Sequence, residues 1–299
     1  MRFVFFLMLF SSLVLGQNKT PFKKFNEANR AEYLLKKKTI QVSKSSRLEK
    51  INLRIQLASR YNEQDDLITA LEDKISNQGE SAQLLYLLGG ANGIKALQVN
   101  RMFSVSYVKA MLKNFKRALA LNPNHLPTLE AYIESLCMVP SLLGGDIDKA
   151  KVLAKQLMKL DQVKAYFSFA FIAAAEAKKS QATDYYKKAF DLLEKQSFCS
   201  QNLSDYFAQH SMNFSYKIAE DSVLNKLSPG IGLCSIDYFI DKQSSVYNIP
   251  LEWAYFRKAQ LLDFVGDRDQ ALLMTKQALS INPNFELGQA LQTKQQKAL

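Results

Sequence analysis

The sequence predicts an all-α protein, a solenoid of stacked helix–turn–helix units, and three observations carry that prediction. Glycine (11) and proline (7) are scarce among 299 residues, whereas average usage is about 7% and 5% and a turn-rich β fold needs more of both. Apolar residues recur at helical spacing through stretches rich in Ala, Leu, Lys and Gln, which are good helix formers. Two distant segments nearly duplicate each other: Ala118–Asn124 reads ALALNPN and Ala278–Asn284 reads ALSINPN. Each ends an amphipathic helix at Asn-Pro, because proline cannot continue a helix and biases its predecessor out of helical backbone.

The clearest unit is EWAYFRKAQLLDFVGDRDQALLMTKQALSINPN, residues 252–284. Tyr255 and Ala259 fall on the inner face of its first helix, Gly266 in the turn, Ala271 and Ala278 in the second helix, and Pro283 closes it. Small residues at Ala259, Ala271 and Ala278 let two antiparallel helices approach closely. This spacing resembles the tetratricopeptide repeat, a unit of about 34 residues, with Lys258 and Thr275 departing from the usual apolar or aromatic choices. Weaker copies place Leu57, Ala58, Tyr61 and Ala70 in Ile51–Asp73, and Phe169, Ala170, Ala182, Tyr186 and Ala189 in Val163–Leu193. Between them Gly89, Gly90, Phe115, Ala118 and Pro123 echo the pattern with longer helices, while Ser204–Gln243 shows apolar stripes (Ile236, Phe239, Ile240) without a clean match, as divergent or inserted helices would. The resemblance implies a right-handed α-solenoid over residues 46–299, with the polar run Leu287–Leu299 as a capping helix.

One stretch invites a different reading. VPSLLGGDIDKA, residues 139–150, has the paired glycines of a phosphate loop. The Walker pattern requires Lys-Ser/Thr after its last glycine; here Gly144-Gly145 is followed by Asp146, whose carboxylate is placed to cap the next helix and to repel a phosphate from its N-terminus. Pro140, Gly144, Gly145 and Asp146 therefore read as a structural turn. At eight residues it is about twice the usual connection, and its block resembles a bacterial subgroup of tetratricopeptide proteins with a Pro…Gly-Gly-Asp turn.

Catalytic and metal-binding patterns are not found. There is no G-x-S-x-G elbow, the two histidines (His125, His210) lack partners at ligand spacing, and Cys137, Cys199 and Cys234 form no C-x-x-C pair. The carboxylate pairs Asp65-Asp66 and Glu220-Asp221 read as solvated turn faces. The expectation is a non-enzyme with no metal and no cofactor. An oxidising compartment would allow one disulfide and leave one thiol; burial as small apolar residues is the other reading of the cysteines.

At the N-terminus, Arg2 precedes the apolar run Phe3–Leu15 and then Gly16. Thirteen residues are too few to span a bilayer; they suit a signal peptide over residues 1–16, with an uncleaved anchor as the alternative. Export places the chain in the periplasm or on the outer side of the envelope. The net charge of +11 is concentrated: Lys19–Arg54 holds eleven Lys/Arg against Glu27, Glu32 and Glu49. This leader, residues 17–45 and the first helix beyond it, would favour an anionic membrane surface or polymer, or would be a solvated segment. No nucleic-acid partner is expected.

In the family that the chain resembles, the first helices line a binding groove. Carried over by position, the groove residues are Trp253, Phe256 and Gln260; Lys164, Phe167 and Phe171; and Asn52, Ile55 and Ser59. Trp253 reads equally as a contact residue or as core against a neighbouring helix, and Phe171 favours core. The family's carboxylate clamps find only Asn52, Asn62 and Lys164 as counterparts. The partner implied is a protein or peptide, and the basic leader is the competing route to a partner.

Overall fold

The computed structural model describes residues 30–208, 212–242 and 249–297, and every regular element among them is helical. The expected signal peptide and the leader up to residue 29 lie outside the described residues. The chain divides into two compact units, Met1–Tyr185 and Tyr186–Leu299.

In the first unit, α1 (Arg30–Val42) packs on α2 (Arg47–Arg60), which pairs with α3 (Gln64–Gln78). Two further pairs follow, α4 (Ala82–Gln98) with α5 (Arg101–Leu121) and α6 (Leu126–Met138) with α7 (Ile147–Met158). Then come α8 (Gln162–Ala175) and the start of α9 (Lys179–Lys195), which runs on into the second unit; Tyr185 stacks on Phe169 with ring centroids 5.3 Å apart. The first helices also stack, α4 on α6 and α6 on α8. From Arg30 the basic leader is helical: Tyr33 is buried against Leu57 and Tyr61 and donates a hydrogen bond to Asp66.

The second unit holds α10 (Leu203–Ala208), α11 (Met212–Asn225), α12 (Pro229–Lys242), α13 (Leu251–Val265), α14 (Arg268–Ile281) and α15 (Glu286–Gln296). The pairs are α11/α12 and α13/α14, with α11 stacked on α13 and α15 covering α14. A disulfide joins Cys199 to Cys234, 35 residues apart in sequence, while Cys137 of the first unit is a buried free thiol.

Ala58, Ala70, Ala118, Ala170, Ala182, Ala189, Ala259, Ala271 and Ala278 are all buried, none more than 6% exposed, and Tyr61 is buried with them. The duplicated helix stops are built alike. Asn122 and Asn282 each cap their helix through a backbone bond to Ala118 (2.9 Å) or Ala278 (3.1 Å), and each side-chain oxygen accepts from the amide two residues on. Pro123 and Pro283 sit between, at the one place where a missing N–H costs nothing.

In four pairs the turn carries a left-handed residue, Asn62, Ala177, Lys226 and Gly266, and the α11/α12 turn adds a second positive φ at Ser228. Each of the four is followed by an amide that reaches back to close the helix, Glu63 to Ala58, Lys178 to Ala173, Leu227 to Ser222 and Asp267 to Leu262, at 2.8–3.1 Å. This is the Schellman arrangement. Gly266 and, less strongly, Asn62 signal it in sequence, whereas Lys226 does not, which is why residues 204–243 lacked a match although α11/α12 is a pair of the same kind.

The turn also corrects one register. Ala170 and Ala259 lie seven residues before Ala177 and Gly266, but Ala58 lies only four before Asn62. The positions in the first pair that correspond to Trp253, Phe256 and Gln260 are therefore Glu49, Asn52 and Gln56, one helical turn earlier than Asn52, Ile55 and Ser59.

The Gly-Gly-Asp segment is a turn. Ser141–Leu143 forms a short 3-10 helix after Pro140, Gly144 is left-handed (φ 102°), and Asp146 caps α7 by accepting from the Lys149 amide at 2.9 Å. A methyl group on Gly145 would stand 1.6 Å from the Val139 carbonyl oxygen. The Asp146 amide is spent on the Leu136 carbonyl (3.0 Å).

Candidate functional site

The faces that the first helices present are the candidate site, and their polar residues are tied from helix to helix. In the first unit, Lys164 at the start of α8 is 1% exposed, and its ammonium donates to Glu130 on α6. One pair earlier, His125 rests on Tyr86 (5.7 Å between rings), with Nδ1 2.7 Å from the Thr128 hydroxyl and Nε2 3.1 Å from Gln83. Burial pushes the Tyr86 phenol up to about 12, aided by Glu130 and Glu134, and burial lowers His125 from its ordinary value. The result is a strip of Gln83, Tyr86, Glu130 and Glu134 with carboxylate character.

The second unit repeats the device with other residues. Arg257, in the middle of α13, donates to Glu220 on α11 at 2.6 Å and to Gln260 at 2.8 Å. Its guanidinium lies 5.5 Å from the Phe256 ring centre. Glu220 and Asp221 are consequently not a solvated turn face: both belong to α11, and Asp221 is buried. Asp65 and Asp66 do sit at the start of α3, held by Lys95 and Lys37.

Several expected groove residues turn inward. Trp253 and Phe256 are 6% and 5% exposed; both close over Phe285 at the head of α15, with centroids 5.1 and 5.3 Å from it. The capping helix supplies a third ring, and the aromatic side chains gain more from it than from water. Phe167 is buried at 2% and Phe171 packs half-buried against the core of the first unit. Lys164 is committed to Glu130, Asn52 accepts from Lys74 at 2.7 Å, and Asn62 is buried and bonded to Gln64, so no carboxylate clamp is assembled from them. Gln260 and Ser59 remain partly exposed. The sequence reading overlooked Arg257 and Glu130; the signal that marked Arg257 was a lone charge inside an otherwise apolar helical stripe.

At the Gly-Gly-Asp turn lies a pocket of about 480 Å³ lined by Leu136, Cys137, Pro140, Gly145, Asp146 and neighbouring residues. Burial pushes the Cys137 thiol up to about 12, with Glu134 and Glu176 adding to the shift, so a thiolate nucleophile is not available there. Among the described residues no cluster of His, Cys, Asp or Glu is placed to hold a metal ion, and no helix is long and apolar enough to cross a membrane.

In solved structures, the chain is similar to tetratricopeptide repeat proteins. One, from Parabacteroides merdae, aligns at 10% identity over 90% of this chain and 94% of its own, with a TM-score of 0.46. A thermophilic tetratricopeptide repeat protein from Thermus thermophilus aligns at 14% identity over 82% and 96%, with a TM-score of 0.40. No family model and no curated protein matches the chain. The helical-repeat architecture stands on the molecule's own helix pairs, buried alanines and recurrent turns.

Proposed function

We propose that this chain is a non-enzymatic, exported scaffold that binds a protein or peptide on the face of its stacked first helices. The observation that carries the reading is the strip Gln83–Tyr86–Glu130–Glu134. Glu130 is held by the buried Lys164 and Gln83 by His125, on helices that stack one on the next, which makes a preorganised surface of the kind that extended partners bind. The Cys199–Cys234 disulfide supports export, because such bonds persist in oxidising compartments.

The competing reading is binding through residues 19–54. It is weakened by the ion pairs that Lys36, Lys37 and Arg54 already make with Glu32, Asp66 and Asp73. Cross-linking and pull-down from the native envelope fraction, with Glu134→Lys as the control, tests the first reading. Capture should fall in the variant and persist at moderate salt. Capture that is unchanged by Glu134→Lys and collapses between low and moderate salt favours the leader instead. N-terminal sequencing decides cleavage: a chain beginning at Met1 rules it out.

A further inference from the structure

The α4–α5 hairpin carries a surface that neither reading uses. Its helices have 17 and 21 residues, against 13 and 12 in α6 and α7, which makes α5 longer than α7 by roughly 13 Å at about 1.5 Å per residue. The end where α4 passes into α5 exposes Leu97 (54%), Met102 (82%) and Phe103 (63%).

Along α5 the charge is of one sign. RMFSVSYVKAMLKNFKRALAL contains Arg101, Lys109, Lys113, Lys116 and Arg117 and no acidic residue. Lys109, Lys113 and Lys116 are spaced by four and three, so they share one helix face, and all are exposed. Two carboxylates are ion-paired to this hairpin, Asp65 to Lys95 (2.6 Å) and Glu80 to Arg117, while Glu130 and Glu134 lie toward Tyr86 on α4. Arg101, Lys109, Lys113 and Lys116 make no ion pair among the described residues.

We propose that this hairpin docks on an anionic phospholipid surface, with Leu97, Met102 and Phe103 among the headgroups and the α5 lysines over the lipid phosphates. Bulky apolar side chains beside a cationic, acid-free helix face are the composition that binds such surfaces. The same face of a second copy would bring the same cations and no acids to the contact, so charge disfavours a two-fold pairing of this surface. The route is separate from the leader, whose helix α1 is packed on α2 and partly neutralised.

The test is a footprint on the full chain at low salt, with vesicles of phosphatidylcholine alone or of phosphatidylcholine and phosphatidylglycerol at about 7:3. Lysine acetylation and methionine oxidation are read by mass spectrometry. With the anionic vesicles, Lys109, Lys113, Lys116 and Met102 should be protected several-fold while Lys155 and Lys159 on or beside α7 react as before; with phosphatidylcholine alone nothing should change. Replacing the three lysines by Gln should weaken partition on the order of a hundredfold, about fivefold per charge. The pair Met102→Ser and Phe103→Ser should weaken it with helicity intact by circular dichroism. Vesicle binding that leaves the α5 lysines reactive assigns the contact to the N-terminal segment and overturns the proposal. Equal lysine protection by heparin with Met102 still oxidisable makes the surface a general polyanion site and overturns it too, as does the absence of any protection.

Discussion

The buried ammonium of Lys164 on α8 is held by the carboxylate of Glu130 on α6, fastening one first helix to the next through a charge that has no access to water. Removing one partner of such a pair costs more than removing both, since a buried charge then loses its counter-ion. Glu130→Ala should lower stability by about 3 kcal/mol in urea unfolding, and Lys164→Met with Glu130→Leu should lie within about 1 kcal/mol of the wild type. A double-mutant cycle that shows no coupling would remove the pair from the account of the fold.

The left-handed turn residues make an opposite prediction. Ala177 (φ 61°) and Lys226 (φ 54°) occupy backbone that glycine adopts without the clash of a Cβ. Ala177→Gly and Lys226→Gly should each raise stability by up to about 1 kcal/mol, and Gly266→Ala should lower it by a similar amount. Thermal melts of the three variants check the signs.

Gly144 and Gly145 should respond unequally to alanine. At Gly144 the penalty is the left-handed backbone, about 1–2 kcal/mol. At Gly145 a methyl group would overlap a backbone carbonyl that cannot move without breaking the turn, so more than about 3 kcal/mol is expected. Similar melting temperatures for Gly144→Ala and Gly145→Ala would contradict this geometry.

The cysteines separate by accessibility. Without reductant, the unfolded chain should release one titratable thiol, Cys137, and peptide mapping should link Cys199 to Cys234. In the folded chain Cys137 should resist alkylation, because its thiol is buried and stays protonated at neutral pH. Reduction should destabilise the second unit by about 2–4 kcal/mol, the loop-entropy scale for this separation.

His125 gives a pH dependence. Burial lowers its pKa below the ordinary 6.5, so the unfolded chain binds the proton more readily. Its contribution is fully present above about pH 6.5 and is lost as pH falls through that value toward the lower folded-state pKa. The depressed carboxylates Glu176 and Asp66 act in the same direction only at more acidic pH. His125→Gln should flatten the stability curve just below pH 6.5 and leave the acid limb unchanged.

The helix pairs, the alanine contacts and the Asn-Pro stops were legible because each rests on local chemistry. A small side chain at a fixed helical spacing, or a proline after a helix, means the same thing wherever the chain goes. Asp146 was legible for the same reason, since a cap is made within a single helical turn. The register of the first pair was not: Ala58 matches the motif one turn from its place, and only the left-handed Asn62 fixes the count.

The candidate site was less readable. A helix such as α13 is apolar around most of its circumference, so its pattern cannot say whether Trp253 and Phe256 meet solvent or another helix; the position of Phe285 decides that they are covered. The partners of Arg257 and Lys164 lie 37 and 34 residues upstream, and no local rule pairs them. By itself the sequence determined the helical class, the Asn-Pro helix stops and the turn at Gly144-Gly145, all consequences of backbone preference over a few residues. Only the tertiary structure decided which aromatic rings are buried, which charges are paired and which cysteines are joined, because burial and pairing depend on what a distant helix brings to the same place.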